Sequence, residues 1–91
     1  MEARSYHRSR VLLSGVLETS TGDYLARVRD FSRTGARVEA ELIPPVGSEL
    51  VLRRGETRIS GRVVWATQTQ FGLEFLDVIE EAELLVHIGG R

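Results

Sequence analysis

The sequence predicts a mainly β fold, a six-stranded antiparallel barrel followed by a C-terminal α-helix. From about residue 11, the residues alternate with period two, which is typical of strands that bury one face. Short turn segments separate these stretches, as in an antiparallel meander. After Phe75 the apolar spacing changes to that of a helix. Closure into a barrel is favoured because it leaves no exposed sheet edge.

Turn-forming residues bound the predicted strands. The strands are predicted at residues 11–18, 23–30, 34–41, 48–54, 57–67 and 70–76. Thr21-Gly22-Asp23 predicts the first turn, and Arg54-Gly55-Glu56 predicts a tight hairpin. Pro44-Pro45-Val46-Gly47 interrupts the third connection.

The helix is predicted over about residues 78–88, with Asp77 as its N-cap and Gly89-Gly90 as its stop. Acidic residues, Glu80, Glu81 and Glu83, would form its outer face. Its buried face would consist of Val78, Ile79, Ala82, Leu85 and Val86. We expect this helix to plug or flank the barrel.

The composition indicates one small domain, residues 11–91, preceded by a flexible basic arm, residues 1–10. A chain of 91 residues has room for a single core. It contains no cysteine, which excludes a disulfide scaffold and a thiolate metal site, and we expect no metal site of another kind. No apolar run approaches the roughly 20 residues that span a bilayer. We therefore expect a cytoplasmic chain without membrane insertion.

Charge is unevenly distributed along the chain. The net charge is −1, yet residues 1–37 contain seven arginines and four acidic residues. Residues 38–91 contain five arginines and nine acidic residues. A planar guanidinium suits phosphate and guanine edges, although a GC-rich genome would also favour arginine over lysine.

The segment Asp30-Phe31-Ser32-Arg33-Thr34-Gly35 lies where one strand ends and the next begins. Asp30 offers two acceptors that match the paired N–H donors of guanine, and the Ser32 hydroxyl can donate or accept. Gly35 is expected to adopt a backbone conformation closed to other residues. The competing interpretation is a local turn in which both side chains cap the backbone.

Arginines four residues apart occur five times in the chain, so position distinguishes them rather than the pattern. Only the pair Arg4 and Arg8 lies in a segment without periodicity, and Arg10 directly precedes the first strand. The other pairs, which include Arg33 with Arg37, are predicted to be solvated arginines on an outer face.

These motifs, in this order, resemble the PilZ domain family, whose members bind cyclic di-GMP in bacteria. The family's Arg-x-x-x-Arg motif is matched by Arg4 and Arg8, and its Asp-x-Ser-x-x-Gly motif by Asp30, Ser32 and Gly35. The resemblance extends over three further segments, 42–50, 63–65 and 71–75. A six-stranded barrel with a C-terminal helix is also the family's fold.

The resemblance implies a role for each matched residue. Arg4 and Arg8 would bind phosphates and the Hoogsteen edge of guanine, and Arg10 would point at the same ligand. Asp30 and Ser32 would hold guanine on the barrel surface, while Gly35 would keep the turn tight. Trp65 is either a core residue, the preferred interpretation, or a platform for a base.

The function implied is a cyclic di-GMP receptor without enzymatic activity or cofactor. Ligand binding would order the arm and alter a surface for a bacterial protein partner in motility, biofilm formation or secretion, with no DNA partner. The chain shows no catalytic constellation. An adaptor of the same fold that binds no nucleotide is the first alternative, and a small RNA-binding barrel is the second.

Overall fold

The structure, a computed structural model, describes residues 9–87 and contains all six predicted strands, each within two residues of its predicted bounds. The elements are β1 (Ser9–Thr19), β2 (Gly22–Phe31), β3 (Gly35–Ala40), β4 (Glu49–Arg54), β5 (Thr57–Ala66), β6 (Gln70–Phe75) and α1 (Glu81–His87). Residues 1–8 of the predicted arm lie outside the described residues. Ser9 and Arg10 belong to β1.

The strands form a closed barrel in the order β1-β2-β3-β6-β5-β4, and every pair is antiparallel. Alternate side chains from the strands fill the interior. The most completely buried of them are Leu17, Val28, Phe31, Val38, Val63 and Phe71. The prediction of a six-stranded antiparallel barrel with a C-terminal helix is therefore confirmed.

A cluster of ion pairs on the outer surface joins β1, β4 and β5, where the pairing of β1 with β4 closes the barrel. Glu18 of β1 accepts hydrogen bonds from Arg53 of β4 at 2.6 Å and from Arg58 of β5 at 2.5 Å. The hydrogen bond from Arg58, followed by the charge of Arg58 and by the hydrogen bond and charge of Arg53, lowers the pKa of the Glu18 carboxyl against the opposing effect of desolvation. The central strand of the cluster, β4, lies opposite β3 in the closed barrel.

The helix differs from its prediction in both its start and its buried face. It begins at Glu81, so Asp77 is not its N-cap, and the predicted stop at residues 89–90 lies outside the described range. Leu84 is buried at 8% exposure, whereas Val86 of the predicted buried face is 73% exposed.

Long-range hydrogen bonds explain the shifted helix. The Ile79 amide donates to the Arg33 carbonyl at 2.9 Å, and Arg33 Nε donates back to the Ile79 carbonyl at 2.8 Å. These bonds hold Ile79 outside the helix as a buried residue. The apolar residues from position 78 onward therefore do not form one face of a single helix. In the helix that follows, Leu84 belongs to the hydrophobic core, and the His87 ring packs against Phe31, which in turn contacts Phe75.

Candidate functional site

Three strands carry β-bulges, and the bulges decide which residues face outwards at one part of the barrel. The irregularities lie between Arg10 and Leu13 in β1, Val28 and Asp30 in β2, and Val63 and Trp65 in β5. An extra residue in one strand shifts the alternation, so the residues beyond it exchange faces.

The bulge in β2 turns Asp30 away from the core. Val28 pairs with Val38, and both are buried in the barrel interior. With regular alternation Asp30 would share that face, since it lies two residues further on. Instead Asp30 pairs with Arg37 and makes an ion pair with it, while the next residue, Phe31, enters the core.

The bulge in β5 does the same for Trp65. Val63 pairs with Leu73 in the core, but Trp65 pairs with Gly72 and is 41% exposed. A Cβ on Gly72 would overlap with Trp65 Nε1, so the indole lies directly over this glycine. The prediction that Trp65 is a core residue was therefore wrong.

These changes align five residues across five neighbouring strands. Arg10 pairs with Asp30, Asp30 with Arg37, Arg37 with Gly72, and Gly72 with Trp65. We call this set the outer row. With strands about 4.8 Å apart, its backbone spans roughly 19 Å.

Asp30 and Arg37 form the polar centre of the outer row. Asp30 is only 3% exposed, and its Oδ2 accepts a hydrogen bond from Arg37 Nε. Arg37 Nη1 donates to Gln70 Oε1 at 3.1 Å. The guanidinium is therefore held at two points, by an anion and by an amide. Arg37 was predicted to be a solvated arginine, and its ion pair shows that this was wrong.

The predicted motif does form a turn between β2 and β3, and Ser32 is its centre. The Ser32 hydroxyl accepts from the backbone amides of Thr34 and Gly35, each at 3.2 Å. It is also 3.3 Å from the Gly35 carbonyl, to which it donates. The hydroxyl thus makes the local hydrogen bonds of the competing interpretation, a backbone-capping turn.

Position 35 requires glycine because a side chain has no room there, and not because of its backbone angles. Positive φ occurs, among the described glycines, at Gly22, Gly47 and Gly55, and the expectation for Gly35 was wrong. A Cβ on Gly35 would lie 2.6 Å from the Leu73 carbonyl oxygen. The close approach of β3 to β6 is what excludes a side chain there.

A cavity of about 340 Å³ lies beside the turn and extends along the part of the outer row from Arg37 to Trp65. Its lining includes Ser32, Gly35, Arg37, Trp65 and Gly72. A larger groove of about 830 Å³, lined by residues such as Tyr24, Leu25 and Leu42, contains none of the predicted site residues. The smaller cavity is therefore the one that combines the motif with charged and aromatic groups.

The turn is directly bonded to the segment that leads into α1. The Phe75 amide donates to the Thr34 carbonyl at 2.8 Å, beside the reciprocal bonds between Arg33 and Ile79. Backbone and side-chain hydrogen bonds therefore join the turn to β6 and to the segment before α1.

Helix α1 ends in a buried histidine. The His87 ring packs against Phe31 with centroids 5.6 Å apart, and its Nδ1 lies 3.3 Å from Arg54 Nη1. Burial, followed by the charge of Arg54, lowers the pKa of His87, although Glu83 opposes this. Neutral His87 accepts the Arg54 hydrogen bond at Nδ1, which leaves Nε2 buried without a partner among the described residues.

The structure brings together some of the predicted site residues, and two of them lie outside the described residues. It brings the backbone of Arg10 beside Asp30 and joins Asp30, Ser32 and Gly35 at one turn, whereas Arg4 and Arg8 lie outside the described residues. In residues 9–87, no group of three acidic or histidine side chains could hold a metal ion, and no helix has the length and apolarity of a membrane span.

The sequence interpretation missed three members of the site. Arg37 was assigned to a pair of solvated arginines, Gln70 matched no motif, and Gly72 was noted only as part of a strand. The one available signal was the aromatic residue Trp65 near the end of a strand, since an isolated tryptophan there can serve as a platform.

Comparison with known proteins identifies a family. The family model for the PilZ domain matches residues 2–88. Among solved structures, the chain is similar to the crystal structure of the Borreliella burgdorferi PlzA protein in complex with c-di-GMP, with a TM-score of 0.71 and 16% sequence identity. The match covers 94% of this chain and 40% of the PlzA chain, so the chain spans less than half of that protein. A search of curated proteins gave no match.

Proposed function

The chain belongs to the PilZ domain family, and on that premise we propose that it is a cyclic di-GMP receptor domain without catalytic activity. The observation that carries the proposal is the outer row, in which bulges align Asp30, Arg37 and Trp65 beside the Asp-x-Ser-x-x-Gly turn. The row offers an ion-paired guanidinium and an aromatic face within one cavity. These are the groups that a purine nucleotide needs for hydrogen bonding and stacking.

Each part of the ligand has a counterpart in the proposed site. The Trp65 indole provides an exposed face on which a guanine base stacks. Asp30 and Ser32 define the end of the site that recognises the base. Arg4, Arg8 and Arg10 bind the phosphates, since bidentate guanidinium contacts suit phosphate oxygens.

Ligand binding orders the arginine arm in this proposal. Strand β1 begins at Ser9, opposite Phe31, so Arg8 immediately precedes the described sheet at the site. An arm of ten residues that contains three arginines gains contacts when an anion neutralises it. The energy of those contacts offsets the entropy lost on ordering.

The signal then reaches a protein partner through α1 and the ordered arm. Support comes from the hydrogen bonds between Arg33 and Ile79, which connect the turn with the approach to the helix. A bacterial, cytoplasmic setting and a partner in motility, biofilm formation or secretion belong to the same proposal.

Isothermal titration calorimetry with cyclic di-GMP tests the proposed function. We expect micromolar binding by the wild-type chain, with strong loss of affinity in Arg8→Ala. The control is Arg53→Ala, which removes an ion-paired arginine from the opposite side of the barrel. Absence of heat at micromolar ligand, together with an unchanged thermal response to ligand in Arg8→Ala, would contradict the proposal.

One observation favours the alternative of an adaptor that binds no nucleotide. The Asp30 carboxylate is engaged by Arg37, and the Ser32 hydroxyl is engaged within its own turn. An adaptor would give no heat with cyclic di-GMP and would still be retained by a motility or secretion protein. No described feature specifically favours the RNA-binding alternative.

A further inference from the structure

We propose that Arg37 contacts the guanine base of the ligand and makes the site prefer guanine, while Asp30 acts through Arg37 as a positioning residue. This inference rests on the proposed function, because it assigns roles within the same site. It changes the expected role of Asp30 from a direct acceptor of guanine donors to the anchor of a guanidinium.

Asp30 is buried, whereas Arg37 is partly exposed. The Asp30 side chain is 4% exposed and its Oδ2 is paired with Arg37 Nε, whereas the Arg37 side chain is 31% exposed. Arg37 also lines the cavity of about 340 Å³, and Asp30 is not among the residues that line it. A ligand in the cavity therefore meets the guanidinium before it meets the carboxylate.

Arg37 has N–H donors that its contacts with Asp30 and Gln70 do not use. A guanidinium has five N–H groups, one on Nε and two on each terminal nitrogen. Nε donates to Asp30 and Nη1 to Gln70, and Nη2 has no hydrogen-bond partner among the described residues. With Nε and Nη1 anchored, the free donors have a fixed direction, so little side-chain entropy is lost when they bind.

The neighbouring strands indicate what those donors meet. Gly72 lies between Arg37 and Trp65 in the outer row, and the Trp65 indole occupies the space that a side chain on this glycine would need. A base stacked on the outer face of the indole would extend toward the Arg37 guanidinium, which lines the same cavity. Guanine presents two acceptors, O6 and N7, on its Hoogsteen edge, which the fork of an arginine matches.

Adenine would be rejected by the same geometry. Its Hoogsteen edge replaces O6 with the N6 amino group, which is a donor and would oppose a guanidinium. Lysine at this position would keep the charge and lose the planar fork. Arg37 thus accounts for selection between two purines that stack equally well on an aromatic ring.

The experiment measures the dissociation constants of cyclic di-GMP and cyclic di-AMP for five proteins. These are the wild-type chain, Arg37→Lys, Asp30→Ala, the double variant Asp30→Ala/Arg37→Ala, and the control Arg53→Ala. Arg37→Lys and the double variant are chosen because neither leaves the Asp30 carboxylate buried without a cation. Thermal unfolding of each variant confirms that it is folded.

We expect Arg37→Lys to lose roughly 10- to 100-fold in affinity for cyclic di-GMP, the range of a bidentate base contact. Its preference for cyclic di-GMP over cyclic di-AMP should fall by a similar factor, which a purely structural role for Arg37 would not produce. Asp30→Ala and the double variant should lose about the same affinity, because removal of the anchor and removal of the whole pair disable the same contact. Arg53→Ala should match wild type.

The outcomes separate this inference from the proposed function. If the wild-type chain binds neither nucleotide, both are wrong. If it binds cyclic di-GMP and Arg37→Lys retains its affinity and preference, only the role of Arg37 is wrong. If the double variant loses much more affinity than Asp30→Ala, Asp30 makes its own contact with the ligand and the positioning role is wrong.

Discussion

Substitution of Gly35 by alanine tests why the motif ends in glycine. A methyl group there would lie 2.6 Å from the Leu73 carbonyl oxygen, an atom fixed by the pairing of β3 with β6. The closest ordinary C···O separation between strands is about 3.3 Å, so the two strands would have to separate by about 0.7 Å. Overpacking of this kind costs about 1–3 kcal/mol, which lowers the melting temperature by roughly 4 to 24 °C in a domain of this size.

The assay compares thermal and urea unfolding of variants at Gly35 and Gly55. Gly55 has φ +62° and nothing within 4 Å of the position that a Cβ would take, so conformation alone limits it. Asparagine tolerates that conformation better than alanine, and Gly55→Asn should be the more stable of the two variants there. At Gly35 the order should reverse, since asparagine is larger and meets the same carbonyl.

Two results would refute this reasoning. One is a Gly35→Ala variant whose free energy of unfolding lies within about 0.5 kcal/mol of wild type, the range of ordinary surface substitutions. The other is a Gly35→Asn variant that is more stable than Gly35→Ala, because that order would indicate a conformational requirement.

Three further predictions concern the helix and the aromatic platform. Leu84→Ala should lower the free energy of unfolding in urea by about 2–3 kcal/mol, and Val86→Ala by less than about 0.5 kcal/mol; equal losses would contradict the observed buried face. Gly72→Ala should displace the indole of Trp65 and shift its fluorescence to longer wavelength, and an unchanged spectrum would place the ring elsewhere. Because burial lowers the pKa of His87 in the folded chain, the unfolded chain binds its proton first, near the ordinary pKa of 6.5. The melting temperature should therefore fall as pH decreases below about 6.5, and less so in His87→Gln; parallel profiles for the two proteins would show that His87 does not titrate this way.

The strands and their order along the chain follow from local patterns, and the sequence therefore predicts them well. Side chains alternate between two faces of every strand, so burial of one face leaves a period of two in the sequence. Turns between β1 and β2 and between β4 and β5 carry glycines with positive φ, Gly22 and Gly55, which mark the hairpins. The Asp-x-Ser-x-x-Gly segment likewise forms a turn at the predicted junction.

The face of the sheet on which Asp30 and Trp65 lie depends on how neighbouring strands pair. The pattern of residues within one strand does not predict that pairing. Asp30 follows Val28 by two residues, so the sequence alone places both on one face. The bulge is a property of β2 against β3, and it reverses the face without changing any residue type. The same holds for Trp65, whose exposure depends on the pairing of β5 with β6.

The predicted start and buried face of α1 were wrong for a related reason. Val78 and Ile79 fit a helical period, but Ile79 is bound to Arg33, a residue 46 positions earlier in the chain. Contacts between residues so far apart in the chain depend on the folded barrel, and the residues next to Ile79 in the sequence do not predict them. Once they form, the helix starts at Glu81, and Leu84 takes the buried position.

A nuclear magnetic resonance titration with cyclic di-GMP tests the central claim most directly. Trp65 is the single tryptophan of the chain, so its indole N–H gives one identifiable signal within the outer row. We predict saturable shifts of that signal and of the Gly72 and Arg37 amides, with little change for Leu25 in the larger groove. Absence of shifts at the outer row, or shifts confined to the larger groove, would contradict the account.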